Sequence, residues 1–330
     1  MTKRIAIVGA GSWGTALAVV AARAGHDVML WSRDADVVRS INDDRINPRY
    51  LTSVSIPDRV VATNEIELKN SSLVLLAAPS HAARQLLTQM SSALGESAII
   101  VSVSKGVEIE TGKRISEIVN EVVGGSHPFV CLSGPSFAKE VVAGSPTAIV
   151  AASKDAAAAR TVQNDLSFEN LRIYTNADVV GTELGGSVKN VMAIAAGMTT
   201  GLGLGSNSVA ALITRGLAEI TRLARREGAQ TETLMGLAGL GDLVLTCTGE
   251  LSRNRYVGEQ LGKGIPLDEI VSGMNEVAEG IKTTLAVKQL AERAGLEMPI
   301  TNEVKAVLYD GKSVSAAVAE LMSRPLREEA

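Results

Sequence analysis

The sequence predicts an α/β chain: a doubly wound, mostly parallel sheet over residues 1–177, followed by a C-terminal all-helical domain over residues 178–330. Three observations predict it. A short apolar run, Ile5–Val8, feeds a glycine turn and then a helical pattern from Thr15 to Arg23. Further apolar runs of strand length alternate with helical segments through the first half, the rhythm of a sheet covered on both faces. From Asp178 onward the strand-like runs stop, and apolar residues recur at helical spacing.

The elements follow in order. Ile5-Ala6-Ile7-Val8 is continuously apolar, as a strand buried on both faces should be. Gly9-Ala10-Gly11-Ser12-Trp13-Gly14 comes next. Placed between strand and helix, this G-x-G-x-x-G spacing marks a Rossmann-type dinucleotide turn. Gly9 permits the tight turn, Gly11 lets the backbone approach a pyrophosphate, and Gly14 lets helix and strand pack closely. The amides at the helix start then meet the negative charge. Lys3 and Arg4, ahead of the apolar stretch from Ile5 to Ala22, give the N-terminus the outline of a secretory leader. The three glycines argue against that, because a leader has no use for them.

A second strand, Val28–Trp31, follows the turn Gly25-His26 and ends in Trp31-Ser32-Arg33-Asp34. An acid at such a strand end holds the ribose 2′-hydroxyl of NAD, whereas an arginine accommodates the 2′-phosphate of NADP. Arg33 therefore favours NADP, while Asp34 and Asp36 leave NAD open. Runs at Val60–Thr63, Leu73–Ala78, Ala98–Val103, Phe129–Leu132, Thr147–Ala151 and Leu171–Tyr174 complete the expected sheet. Ligands of such sheets collect beyond the carboxyl ends of the strands. That rule marks Ala78-Pro79-Ser80, Ser104-Lys105-Gly106 and the segment Ser133-Gly134-Pro135-Ser136-Phe137-Ala138-Lys139. Lys105 is the most telling of these, a cation placed directly after a buried strand. His26, His81 and His127 share no spacing and read as turn or surface residues.

In the second half, Asp178 is a plausible cap for a long helix through Glu183, Leu184, Val188, Met192 and Ala195. Gly181, Gly185, Gly186 and Gly197 lie along it. Each helical glycine costs roughly 1 kcal/mol relative to alanine, so their number predicts close packing against another element. Lys189 and Asn190 stand mid-helix among small and apolar residues; such a lysine either snorkels outward or is placed inside a site. Asp242, after Gly239-Leu240-Gly241, suits an Asx turn. Thr248-Gly249-Glu250-Leu251-Ser252-Arg253-Asn254-Arg255 gathers anion-binding donors, either as a solvated loop or as a site. The tail from Arg324 to Ala330 reads as frayed.

Composition excludes several classes. A formal charge of −4 without a basic tract argues against a nucleic-acid partner. No stretch approaches 18 unbroken apolar residues, so no membrane span is expected. Two cysteines, Cys131 and Cys247, make no disulfide framework and fit a reducing cytoplasm. No His or Cys stands at metal-ligand spacing from them, and no metal is expected.

The blocks GAGSWGTALA, SKGVE, SGPSFAKEV, ELGGSVKNVMAIAAG, GLAGLGDLVLTCTGELSRNR and NEVAEG together resemble the bacterial NAD(P)-dependent glycerol-3-phosphate dehydrogenases, from the first strand to about Glu303. The resemblance implies an N-terminal Rossmann domain, a helical C-terminal domain and a cytoplasmic homodimer. The implied reaction interconverts dihydroxyacetone phosphate and sn-glycerol 3-phosphate, with NADP favoured and NAD possible, and supplies glycerol 3-phosphate for phospholipid synthesis. By position, it assigns Ser12, Trp13, Arg33, Lys105 and Ala138 to the cofactor, with Arg253, Val277 and Glu279 at the nicotinamide end. It assigns Lys105, Gly134, Ser136, Asp242, Ser252, Arg253 and Asn254 to the substrate, and makes Lys189 the residue that moves the proton. Members of the family often carry His-Arg or Asn-Arg at the end of the second strand, so Ser32-Arg33 departs slightly. A ketopantoate or β-hydroxyacid reductase would share the architecture but grip a carboxylate, and the multi-donor SRNR block favours a phosphate instead. A non-catalytic NAD(P) sensor would keep the glycine turn without needing Lys105, Lys189 and Asp242 together.

Overall fold

The apolar runs form one eight-stranded sheet: β1 (Arg4–Val8), β2 (Asp27–Trp31), β3 (Val60–Thr63), β4 (Leu73–Leu76), β5 (Ile99–Ser102), β6 (Phe129–Ser133), β7 (Thr147–Ala152) and β8 (Leu171–Asn176). The computed structural model describes residues 2–274, 276–326 and 328. Strand order is β3-β2-β1-β4-β5-β6-β7-β8. Neighbours run parallel except at β6–β7, where Leu132 opposes Ala151 in an antiparallel pair. The chain winds outward from β1 to β3 and then returns to β4 beside β1. That reversal is the topological switch point at which open sheets of this kind bind ligands.

The chain divides into two compact units, Met1–Lys105 with Lys113–Glu183, and Gly106–Gly112 with Leu184–Ala330. In the first unit the sheet is sandwiched by α1 (Ser12–Arg23), α2 (Ala35–Asp43), α3 (Ala83–Ser91), α4 (Ile115–Val122), α5 (Ala138–Val142) and α6 (Ala156–Leu166). The period of two along a strand is visible in β1. Ile5 and Ile7 pack into the layer containing Leu17 and Val162, while Ala6 and Val8 pack into the one containing Leu87 and Ile118. Both layers are fully buried there, which is why β1 carries no polar residue beyond the exposed Arg4 that opens it.

The second unit is helical: α7 (Val179–Gly201, whose residues through Glu183 belong with the first unit), α8 (Gly205–Arg226), α9 (Thr231–Leu234), α10 (Asp242–Thr248), α11 (Arg253–Gly262), α12 (Leu267–Ser272), α13 (Glu279–Arg293), α14 (Pro299–Tyr309) and α15 (Val314–Met322). Asp178 caps α7 as expected, its Oδ1 accepting the Gly181 amide at 2.8 Å. Of the glycines expected to allow close packing, Gly185 and Gly197 do so, the first with a Cβ position 2.7 Å from the Ala238 carbonyl. A Cβ on Gly197 would lie 2.0 Å from the Arg255 carbonyl, and one on Gly201 would lie 2.2 Å from that of Glu259. The contact is reciprocal, because a Cβ on Gly258 would sit 1.9 Å from the Ile194 carbonyl. Two helices whose backbones touch this closely tolerate only glycine at the crossing. Among the described residues no single helix is long and apolar enough to cross a membrane.

Three expectations are corrected. His26 is buried rather than superficial: its Nδ1 accepts the Lys3 amide proton and its Nε2 donates to the Asp165 carbonyl, so it fastens β1 to α6. SRNR is not a loop, since Ser252 caps α11 and Arg253 begins it. Arg324, expected to be frayed, makes a two-pronged ion pair with Glu297 at 2.7 and 2.8 Å. Arg327, Glu329 and Ala330 of the tail, and Asn275 of the NEVAEG block, lie outside the described residues.

Candidate active site

The glycine turn is built as its spacing requires. Gly9 holds φ +124°, a left-handed conformation that L side chains rarely adopt, and a Cβ there would meet the Ala77 carbonyl at 2.4 Å. A Cβ on Gly14 would lie 1.9 Å from the Gly9 carbonyl, so the start of α1 rests directly on the turn. Gly11 differs from both: nothing stands within 4 Å of where its Cβ would be. Glycine there keeps open space above the first amides of α1, the cradle a pyrophosphate needs. The donor set thus fits a dinucleotide. Ser12 spends its hydroxyl on the Tyr50 carbonyl at 2.9 Å, and Trp13 packs on the core. Arg33 is exposed at the end of β2.

At the carboxyl ends of β5 and β6 the first unit gathers three of the expected residues. Lys105 Nζ donates to the Gly134 carbonyl at 3.4 Å, and Ser136 Oγ donates to the same oxygen at 3.0 Å. Gly134 has φ +147°, and a Cβ would press on Ile149 at 2.9 Å. The sequence after β6 must therefore turn on glycine to present these groups. Ala138 starts α5 just beyond and packs on the core.

In the second unit Lys189 does not snorkel. It is 5% exposed, and its ammonium donates to Asp242 Oδ1 and, at 2.8 Å, to Thr246 Oγ1. Asp242 does not serve an isolated turn; it opens α10 and is 1% exposed. Thr246 stands one turn further along the same face and donates to the Asp242 carbonyl at 2.6 Å. A buried ammonium needs such partners, since an unpaired buried charge costs several kcal/mol. Burial pushes the neighbouring Cys247 thiol up to about 12, so it stays protonated and serves packing, as its sequence setting suggests. Burial likewise holds Cys131 well above the usual thiol range.

Asn254, on the first turn of α11, is locked from both sides. Its Nδ2 donates to Asn190 Oδ1 at 3.0 Å, and its Oδ1 accepts the Gly280 amide at 2.9 Å. Gly280 must be glycine, because a Cβ would meet the Asn190 carbonyl at 2.7 Å and Asn254 Oδ1 at 2.8 Å. Ser252 Oγ accepts the Arg255 amide as the cap of α11. The two arginines then diverge. Arg255 is occupied inside the unit by the Gly249 carbonyl and Glu259. Arg253 is half-exposed and bridges the Val277 carbonyl at 3.0 Å and the Glu276 carboxylate at 2.8 Å. Glu279 begins α13 just past that contact.

Sequence reasoning noted Asn190 without giving it a role and assigned none to Thr246, Glu276 and Gly280. Thr246 had a signal, its spacing of four from Asp242 on a helical stretch. The others are paired across 64, 23 and 26 residues, beyond the reach of local pattern.

A dinucleotide turn at the head of a parallel sheet, in a chain that also buries a lysine against a carboxylate and a hydroxyl, defines an oxidoreductase that works with a nicotinamide cofactor. Comparison with known proteins narrows this. The model of the NAD-dependent glycerol-3-phosphate dehydrogenase N-terminus matches residues 4–159, and that of the C-terminus matches residues 178–319. A glycerol-3-phosphate dehydrogenase (NAD(P)+) of Koribacter versatilis is 54% identical, covering 99% of this chain and 98% of the relative. One of Citrifermentans bemidjiense is 49% identical over 100% of this chain and 99% of its own length. A crystal structure of the glycerol-3-phosphate dehydrogenase of Coxiella burnetii superposes with a TM-score of 0.95 at 41% identity, covering 98% of this chain and 99% of that one. The chain belongs to the NAD-dependent glycerol-3-phosphate dehydrogenase family.

Proposed function

We propose that the protein interconverts dihydroxyacetone phosphate and sn-glycerol 3-phosphate, supplying the latter for phospholipid synthesis. The observation that carries the reading is the buried Lys189, aimed and held by Asp242 and Thr246. When bound, NAD(P)H supplies the hydride that reduces C2 of the ketone. Lys189 gives a proton to the C2 oxygen as negative charge develops on it, and takes that proton back in the reverse direction. Asp242 fixes the ammonium and balances its charge, while Thr246 sets its direction. Arg253, with the Asn254 amide behind it, takes the phosphate, a group that rewards charge-assisted donors. Lys105, Gly134, Ser136 and Ser252 complete the substrate contacts.

Cofactor contacts fall to the glycine turn at Gly9, Gly11 and Gly14, to Ser12, Trp13, Arg33, Lys105 and Ala138, and to Arg253, Val277 and Glu279 near the nicotinamide. NADP is the favoured form, because Arg33 is exposed where a 2′-phosphate would lie. Functionally the chain is read as a cofactor domain of residues 1–177 and a substrate domain of residues 178–330. Buried free thiols at Cys131 and Cys247 suit a cytoplasmic protein, and the homodimer follows from the family resemblance alone.

The test is the rate of NADPH oxidation with dihydroxyacetone phosphate, ketopantoate and no ketone in parallel. Turnover confined to dihydroxyacetone phosphate supports the reading. Turnover with ketopantoate would transfer the chain to the carboxylate-binding reductases, and binding without turnover would make it a sensor.

A further inference from the structure

The end of β2 offers two chemistries side by side. Arg33 is exposed and has no hydrogen-bonded partner among the described residues. Asp34 follows it, at the place where an acid would accept a ribose 2′-hydroxyl. The structure shows Asp34 already committed. Its Oδ1 accepts the amides of Asp36 at 3.0 Å and Val37 at 3.4 Å, capping α2. Its Oδ2 accepts from Arg49 Nη1 at 2.7 Å. The Val37 and Asp36 amides and the Arg49 guanidinium hold the carboxyl below the usual range, so it stays ionised and paired. Asp36, the other acid nearby, pairs with Arg39.

Arg49 reaches Asp34 from a loop that is itself fastened to the nucleotide turn. Buried Asn47 donates through Nδ2 to the Ala10 carbonyl at 2.9 Å and to Thr15 Oγ1 at 2.8 Å. Its Oδ1 accepts the Tyr50 amide, and the Tyr50 carbonyl accepts from Ser12 Oγ. Leu51 is fully buried in the core of the first unit. The guanidinium of Arg49 also lies 5.7 Å from the centre of the Tyr50 ring, within cation–π reach. An isolated surface ion pair contributes little to stability. This one is placed by an anchored loop, and with it both carboxylate oxygens of the acid at the end of β2 are engaged.

We propose that Arg49 is a positioning residue for cofactor choice: by engaging Asp34 it withholds that carboxylate from an unphosphorylated ribose and leaves the end of β2 to Arg33 and a 2′-phosphate. The inference rests on the NADP reading above and adds the residue that enforces it.

The experiment compares kcat/KM for NADPH and NADH at saturating dihydroxyacetone phosphate in the wild type, Arg49→Gln, Arg49→Lys, Asp34→Asn and the double variant Asp34→Asn/Arg49→Gln. Losing one charge-assisted contact should lower the NADPH:NADH ratio of Arg49→Gln about tenfold, chiefly through a gain with NADH. Arg49→Lys should keep most of the preference. The double variant should lose the gain with NADH, since asparagine still caps α2 but offers no carboxylate. Equal losses with both cofactors in Arg49→Gln, or an NADH gain that persists without Asp34, overturns the inference. Wild-type preference for NADH overturns the cofactor reading and the inference together; wild-type preference for NADPH with an unmoved ratio in Arg49→Gln overturns the inference alone.

Discussion

The two units carry their chemistry in different materials. In the first, the cofactor platform is mostly backbone: Gly9 and Gly14 are pressed against main chain, and Gly11 holds space open over the first amides of α1. In the second, backbone contact between α7 and α11 at Gly197 and Gly258 is only scaffolding, and the proposed chemistry rests on the side chains of Lys189, Asp242, Thr246 and Arg253. A site made of backbone depends on shape and should fail when shape is filled. A site made of side chains depends on charge and should fail when charge is removed, with the fold intact.

The largest break should come at Lys189. Lys189→Ala removes the proposed proton donor and is expected to lower turnover by roughly 10²–10⁴-fold, the usual contribution of a positioned acid–base group. Quenching of tryptophan fluorescence by NADPH should stay near wild type, because Lys189 is not among the proposed cofactor contacts. Near-normal turnover would remove Lys189 from the role.

Next comes the pair of arginines. Arg253→Ala should raise the KM for dihydroxyacetone phosphate by roughly ten- to a hundredfold, the equivalent of losing one or two charge-assisted hydrogen bonds. Arg255→Ala should raise it less, because that guanidinium is 17% exposed against 49% for Arg253 and holds Gly249 and Glu259 within the unit. Equal, small effects from both would return SRNR to a purely structural role as the start of α11.

These two regions were also unequally legible in the sequence. Most of the strands are buried, continuous apolar runs, and even β3 and β8, which expose Val61, Arg172 and Tyr174, kept enough apolar residues to be read off; the glycine turn lies within six consecutive residues. The antiparallel β6–β7 pair had no local mark, because pairing direction is settled by how the connecting chain packs. In the helical unit the chemical residue types could be singled out, but not their partners. Lys189 meets Asp242 and Thr246 from 53 and 57 positions away, and Arg253 meets Glu276 across a stretch with no regular period. Long-range side-chain pairing is a product of the packed helices and leaves little trace in neighbouring letters.

Filling the glycines probes the same contrast through stability. Gly258→Ala forces a Cβ to within 1.9 Å of the Ile194 carbonyl, so α7 and α11 must separate. Overpacking of this kind costs about 1–3 kcal/mol. It should lower the thermal midpoint and KM-dependent activity together, through displaced Asn190 and Asn254. Gly14→Ala should instead weaken NADPH binding with little effect on the arrangement around Lys189. Should both variants lose cofactor affinity alike, the division between a backbone-built and a side-chain-built region would not hold.

The smallest effect expected is a pH dependence that belongs to the helical unit. Glu219 of α8 is 3% exposed and accepts the amides of Ile300 at 2.7 Å and Thr301 at 3.4 Å, at the start of α14. Burial raises its carboxyl to about 7, against the opposing pull of those amides and of Arg222. A folded-state value above the unfolded one means that the native protein binds the proton more tightly. The stabilisation is therefore full below the ordinary carboxyl range near 4.5 and is lost as pH rises through about 7. Between pH 5 and 8 the wild type should lose a few degrees of thermal midpoint, on the order of 1 kcal/mol. Glu219→Gln keeps an acceptor for the α14 amides but cannot ionise, so its midpoint should vary less over the same window. A variant that tracks the wild type across that range would show that the amides at the head of α14, rather than burial, govern this carboxyl.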